Sequence, residues 1–403
     1  MNVCIFLDSP LHAPGGMVQS VLNQRLALQA AGHTVYLVCL GRGNTPDTRT
    51  FFAKPYICII NNHVNFAYLL NNPLTTWRVH RFLKRHNIDV VHVQSDMSTA
   101  RLGVKLARRM GIPVLSTVHN FFWPATGLLQ TSGGYILQAV YFLHSGQRLR
   151  LSTFGDNRLE RAVRGMTEAM CGQVDVVVAP SAHLKNKLQE CGVTTAIEVI
   201  PNPYYTPAES EQPPALISDT RLPHFVWIGR CAPEKRLIEF VKAVALTVAR
   251  TKRDFKVTVV GAGPDLARAK ALASEEGLEQ LINFVGRVGN QKVIQYIDDA
   301  SFTVLSSYHF DNQPVVIAES LSRYRGVLYC DERITEGVSQ AGLRTTSPDA
   351  AGFADSMVQI ITDPAIAVRY SRLAKSASEE FSHTKFTKRF AEAVRLARSG
   401  RVV

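Results

Sequence analysis

Short apolar runs alternate with segments of helical periodicity along almost the whole chain. Val3–Leu7 predicts a strand, Val18–Gln29 a helix and Thr34–Leu40 a second strand. Val90–Val93 and Val114–Val118 predict strands on either side of a helix at Gly103–Met110, and Val174–Ala179 predicts another after a long polar stretch. These strand runs are rich in Val and Ile and do not alternate in polarity, which suits a parallel sheet covered on both faces. The pattern then restarts, with strands at Phe225–Ile228, Lys256–Val260, Ile282–Val285 and Thr303–Leu305. Helices are predicted between them at Glu239–Ala249, Leu266–Glu276 and Lys292–Asp298. Pro201-Asn202-Pro203 and the Pro-, Ser- and Glu-rich Ala208–Pro223 separate the halves and read as a linker. Ile366–Arg401 is helical and charged. The expected architecture is α/β: two Rossmann-like doubly wound domains facing a cleft. The first is placed at 1–200, a linker at 201–223, the second at 224–375 and a helical segment at 376–403.

Composition narrows the class. A chain of 403 residues is long for a single core and suits two domains. Its 46% hydrophobic and 19% charged residues exclude a disordered protein. No apolar run approaches the roughly 18 residues of a membrane span, and the start lacks the basic region and cleavage site of a signal peptide. The seven cysteines are odd in number, scattered and without a Cys-x-x-Cys pair, as expected of thiols in a reducing cytosol.

Charge adds a partner. The net charge is +12, and residues 1–200 hold 19 Lys and Arg against 10 Asp and Glu. Arg78, Arg81 and Arg85 share one helical face, and Arg101, Lys105 and Arg108 repeat the pattern. Arg148, Arg150, Arg158, Arg161 and Arg164 follow among apolar residues. Basic faces beside apolar side chains suit an anionic membrane surface, or simply solvent. No zinc finger or aromatic RNA-binding strand is present, so nucleic acid is not the expected partner.

Two segments carry the chemistry. Asp311-Asn312-Gln313-Pro314-Val315-Val316-Ile317-Ala318-Glu319 sets two carboxylates eight residues apart, across a loop running into a helix. Gly229-Arg230-Cys231-Ala232-Pro233-Glu234-Lys235 sets two cations five apart, directly after a strand. Carboxylates that accept from sugar and ribose hydroxyls, with cations that grip a diphosphate, are what an enzyme handling a nucleotide sugar requires. Taken singly, each pair also describes an exposed helix start. Gly15-Gly16, before the Val18 helix, allows backbone amides to approach a phosphate, or makes an ordinary turn. It does not form Gly-x-Gly-x-x-Gly, which disfavours a nicotinamide cofactor. His119, at the carboxyl end of a strand, is placed to meet a sugar hydroxyl, though a lone histidine is more often structural. Asp298-Asp299 is not an Asp-x-Asp metal motif, and no His-Glu-x-x-His occurs, so no metal is expected.

In order along the chain come Gly15-Gly16, Val90-Val91-His92, Thr117-Val118-His119, Ala179-Pro180-Ser181 and Val199-Ile200-Pro201-Asn202. Gly229–Lys235, Val259-Val260-Gly261-Ala262-Gly263-Pro264, Phe284-Val285-Gly286-Arg287-Val288 and the Asp311/Glu319 pair follow. In this order they resemble the GT-B glycosyltransferases of family 4. The resemblance implies a retaining, metal-independent transfer of a hexose from a UDP- or GDP-type sugar, with the final helices packing back on the first domain. It places the diphosphate on Arg230 and Lys235, the ribose on Glu319 and the donor sugar on Asp311, within a loop that includes Asn312, Pro314 and Val315. Gly286, Arg287 and Val288 would hold the base, Gly15 and Gly16 would lie on the donor, and His119 would act near the reacting carbon. Gln94-Ser95-Asp96 and Val118–Asn120 look most like members that glycosylate diacylglycerol-type lipids. That implies a lipid acceptor at the cytoplasmic face of the membrane, approached through the basic first domain. Four positions depart from the family pattern: Asp311 replaces the usual Glu, Pro203 replaces a glycine, and Tyr324 and Arg325 stand within Ser320–Gly326 where small residues are usual. A soluble or polysaccharide acceptor in cell-envelope synthesis, and a catalytically silent scaffold for membranes or polyanions, are the alternatives. No feature of the chain sets an oligomeric state.

Overall fold

The computed structural model describes residues 1–11, 16–41, 49–55, 57–60, 65–69, 72–119, 129–145, 147–204, 215–218 and 222–400. The chain divides into two compact units, Met1–Pro203 with His383–Val403, and Tyr204–Ser382.

The strands of the first unit are β1 (Asn2–Leu7), β2 (Thr34–Leu40), β3 (Thr50–Ala53), β4 (Ile57–Ile60), β5 (Asn65–Tyr68), β6 (Val90–Val93), β7 (Val114–Thr117), β8 (Val176–Ala179) and β9 (Ile197–Val199). Its helices before the linker are α1 (Gly16–Ala30), α2 (Pro73–Arg85), α3 (Ser98–Arg109), α4 (Leu129–Ser145), α5 (Arg158–Cys171) and α6 (Ala182–Glu190). Strands β4 and β5 form an antiparallel hairpin. The other seven form one parallel sheet in the order β3-β2-β1-β6-β7-β8-β9. Successive residues of β1 feed opposite cores: Cys4 and Phe6 join one buried cluster, and Val3, Ile5 and Leu7 the other. Burial on both faces is why the strand reads as a continuous apolar run.

The second unit repeats the plan with β10 (His224–Ile228), β11 (Lys256–Val260), β12 (Ile282–Gly286), β13 (Phe302–Leu305), β14 (Gly326–Tyr329) and β15 (Gly342–Arg344). Its helices are α7 (Leu237–Arg250), α8 (Leu266–Glu275), α9 (Asn290–Asp299), α10 (Val315–Ser322), α11 (Val338–Ala341), α12 (Ala350–Thr362) and α13 (Ala365–Ala377). The sheet order is β12-β11-β10-β13-β14-β15. In both units the chain winds one way from the central strand and then the other. The crevice for a ligand therefore lies beyond the carboxyl ends of β1 and β6, and of β10 and β13.

The chain ends in α14 (His383–Ser399), which belongs to the first unit. Phe386, Phe390, Ala393, Val394 and Ala397 form its apolar stripe and are buried where it packs on α1, β7 and β8, in one core cluster with residues of β1 and β2. Among the described residues no helix is long and apolar enough to cross a membrane.

Candidate active site

In the second unit, three loops at the carboxyl ends of adjacent strands are stitched together. Gly229 N donates to Val260 O at 3.1 Å, Cys231 N to Ala262 O at 3.0 Å, and Gly261 N to Gly286 O at 2.9 Å. Arg230 is carried between two of these anchors. Its guanidinium is half exposed and pairs with Glu234. Lys235 ends a short helical turn, Pro233–Lys235. Its carbonyl accepts from Ser306 Oγ at 2.7 Å, and that hydroxyl in turn accepts from Trp227 Nε1 at 2.8 Å. The Lys235 backbone is thereby tied to β10 and to the end of β13.

The expected carboxylates lie on the neighbouring segment. Asp311 Oδ1 accepts from Lys235 Nζ at 2.5 Å, and Ser307 Oγ donates to its other oxygen. Two residues singled out separately thus form one ion pair, with side chains 22% and 11% exposed. Pro314 caps α10 with extended backbone angles, Val315 begins the helix, and Asn312 is buried in the loop before it. Glu319 stands on the second turn. Burial pushes its carboxyl up to about 7; Ser322 Oγ donates to the Glu319 backbone carbonyl at 2.7 Å, and none of the described residues donates to the carboxyl oxygens. Tyr204 lies close enough that its phenol, raised first by burial, is raised further by the Glu319 charge. Gly286 closes β12 at φ +77°, followed by exposed Arg287 and half-buried Val288. Sequence reasoning passed over Ser306 and Ser307, for which two hydroxyls directly after a strand end were the available signal, and gave Glu234 no partner.

The first unit holds a buried polar chain. His119 Nε2 lies 2.7 Å from Gln94 Oε1, Gln94 Nε2 donates to Gln24 Oε1 at 2.8 Å, and Gln24 Nε2 donates to Asn202 Oδ1 at 2.8 Å. Below it, His92 Nε2 meets Thr117 Oγ1 at 2.7 Å. Burial holds the His119 ring down to about 4 and the His92 ring to about 3, so both are neutral near pH 7. Because each amide oxygen accepts from the next group, His119 carries its hydrogen on Nε2. Asp8, at the end of β1, accepts from Ser95 Oγ at 2.6 Å, Ser98 Oγ at 2.8 Å and Thr99 Oγ1 at 2.6 Å. It caps the start of α3, where Met97 cannot. Gly16 opens α1 and is exposed; Gly15 and Asn120 lie outside the described residues.

The basic helices divide. Arg78, Arg81 and Arg85 on α2, with Lys105 and Arg108 on α3, are exposed. A groove of about 480 Å³ between these helices is lined by Trp77, His80, Lys105 and Arg109. Arg101 departs from the surface role expected of it. Its guanidinium lies 4.0 Å from the centre of the buried Tyr141 ring, and its Nε donates to Asp96 O at 3.2 Å. Helical spacing alone could not show that this side of α3 meets α4. The departures in Ser320–Gly326 are structural. Arg323 is buried in a two-pronged pair with Asp298, both contacts 2.7 Å. Arg325 is also buried and donates to the Ala215 and Asp298 carbonyls, each at 2.6 Å. Among the described residues, His309, Asp331 and Glu332 have metal-compatible spacing, but Arg333 and the His309 amide already engage the Asp331 oxygens.

Known proteins are similar to this chain in sequence and in fold. Residues 14–206 fit the model of Glycosyltransferase Family 4, and residues 222–363 that of Glycosyl transferases group 1. The alpha-monoglucosyldiacylglycerol synthase of Acholeplasma laidlawii is 23% identical over 339 residues, covering 80% of this chain and 78% of that protein. The synthase of the same name from Streptococcus pneumoniae is 22% identical, covering 80% and 69%. Among solved structures, S. aureus TarM in complex with fondaparinux, α-GlcNAc-glycerol and UDP aligns with a TM-score of 0.68 at 11% identity, covering 98% of this chain and 99% of that one.

Proposed function

We propose a lipid-directed transfer for this chain, which belongs to the glycosyltransferases of family 4: it moves a hexose from a nucleotide-diphosphate sugar to a diacylglycerol-type acceptor at an anionic membrane surface. The observation that carries the donor half is the joining of Lys235 to Asp311 beyond β10 and β13, with Arg230 on the same loop and Glu319 on α10. The acceptor half rests on the two diacylglycerol-directed relatives and on the exposed cations of α2 and α3.

In this reading the diphosphate oxygens take Arg230 and Lys235 from their present partners, Glu234 and Asp311. Two fixed cations then stabilise the charge that develops on the departing diphosphate, the work a metal ion does in other transferases. Asp311, released from Lys235, accepts from donor-sugar hydroxyls, and ionised Glu319 accepts from the ribose. Gly286–Val288 borders the base. Neutral His119 offers a hydrogen bond rather than a charge. Retention of the anomeric configuration is part of the proposal.

The test has two arms. Thermal shift against a panel of UDP- and GDP-sugars should single out one donor, since a ligand at about 100 times its Kd adds about 2.7 kcal/mol. That donor is then offered with diacylglycerol in mixed micelles and with soluble glycans, and the product linkage is read by NMR. An α-linked glycolipid supports the reading. Transfer only to a soluble glycan overturns the acceptor assignment, and no shift with any nucleotide sugar overturns the donor site.

A further inference from the structure

Helix α4 contains no Asp, Glu, Lys or Arg. One face is committed to α5. A Cβ on Gly134 would meet Arg158 Cγ at 2.7 Å, so the helices touch there, and Tyr141 is buried with Leu149, Ala162 and Met166. Gln138 Oε1 accepts from Arg158 Nη2 at 2.6 Å. The other face shows Tyr135, Ile136, Val140 and Phe142, exposed by 57%, 58%, 37% and 50%. With about 100° between successive residues, these four fall on one side of the helix. The outward face of a helix in water is ordinarily polar, and a contiguous apolar patch marks a surface that meets something else.

The charges around it indicate what. Between Asp96 and Asp156 the chain has no acidic residue, and the cations nearest to α4 in sequence are Arg148 and Arg150. Arg148 and Arg150 follow the end of α4 and are exposed. The Arg158 guanidinium lies over the Tyr135 ring at 3.8 Å, bordering the patch. A second copy of this surface would bring arginines against arginines. A lipid interface offers acyl chains to the apolar side chains, a headgroup level suited to Tyr135, and phosphates to the arginines. We propose that α4 lies in the plane of an anionic membrane with Tyr135, Ile136, Val140 and Phe142 inserted, and that Arg148, Arg150 and Arg158 meet the headgroups. The partner rests on the lipid-acceptor reading above; the inserting element does not follow from it, because that reading drew on the two relatives and on the cations of α2 and α3, and not on α4.

The experiment compares the full chain with Ile136→Glu/Phe142→Glu, and with Tyr135→Ser/Val140→Ser should the first pair fail to fold. Each is co-sedimented with phosphatidylglycerol and with phosphatidylcholine vesicles at low and high salt, with light scattering for mass and a nucleotide-sugar thermal shift for the donor site. The unaltered chain should sediment with phosphatidylglycerol vesicles and keep part of that binding at high salt. The paired variants should lose about tenfold or more in partitioning, including all of the salt-resistant part, while the donor shift is unchanged. Variants that partition like the unaltered chain overturn α4 as the inserting element while leaving the lipid-acceptor reading intact. A dimer that the variants dissociate, with vesicle binding unaltered, assigns the face to self-association and also overturns it. If the unaltered chain sediments with neither vesicle yet binds donor, the membrane reading falls together with this one.

Discussion

Glu319 makes the sharpest claim at the scale of single residues. Its carboxyl sits at about 7 instead of its ordinary 4.5 because burial penalises the charged form. A carboxyl with a raised folded pKa stabilises the fold fully below the unfolded value, and that contribution is lost as pH rises through the folded one. Wild type should therefore lose ground to Glu319→Gln between pH 4.5 and 7. Above that window the variant should be the more stable by up to about 3 kcal/mol, as read from denaturation midpoints across pH. If the ionised form accepts from a ribose, nucleotide affinity should rise with pH across the same window in wild type and stay flat in the variant. Lys235→Ala removes both a proposed phosphate ligand and the partner of Asp311. Turnover should fall by roughly 10²–10³, the scale for one charge-stabilising donor, and steady-state kinetics near wild type would remove Lys235 from the site. Both residues were legible as types in sequence. Their pairing was not, because it joins positions 76 apart and depends on which strands flank the switch point.

Among elements, the glycine loops hold the site in register. Gly261 has φ +148°, and a Cβ there would stand 1.8 Å from Gly229 O; at Gly263 it would stand 2.3 Å from Cys231 O. In both cases the obstacle is backbone, which has no rotamer to yield. Gly261→Ala should cost about 1–3 kcal/mol or more, and should weaken donor binding by moving the loop that carries Arg230. Gly277, at φ +66° with nothing within 4 Å of a Cβ, is the control: its alanine variant should cost only the backbone strain of about 1 kcal/mol. Urea titrations of both variants, each with and without nucleotide, separate the two effects. The Val/Ile strands were legible in sequence because burial on both faces leaves an unbroken apolar run. Helices α4 and α5 were not read as elements. With no charge and the pair Gly133-Gly134, α4 shows no polar stripe, and the apolar face it exposes leaves little contrast for periodicity to detect. The short edge strands β3 and β15, of four and three residues, gave too little pattern to separate from loop.

At the scale of the whole molecule, the chain returns from its second unit to complete the core of its first. The apolar stripe of α14 was visible as a helix, but periodicity does not identify the sheet it covers; that expectation came from likeness to a family. The Phe390 ring is buried, with its centre 5.3 Å from that of His92. His92 in turn contacts Thr117 and the Gln94 amide of the polar chain leading to His119. Phe390→Ala should therefore cost about 3–5 kcal/mol, the range for truncating a buried aromatic. Its effect should appear in the first unit, although most of that unit precedes the mutation by two hundred residues or more. Hydrogen exchange should quicken at β1, β6 and β7, while α7 and β10 keep their protection and the nucleotide-induced thermal shift survives. Exchange that quickens in the second unit instead would mean that α14 serves the donor side. A stability loss under 1 kcal/mol would mean that the stripe covers a face the sheet can do without.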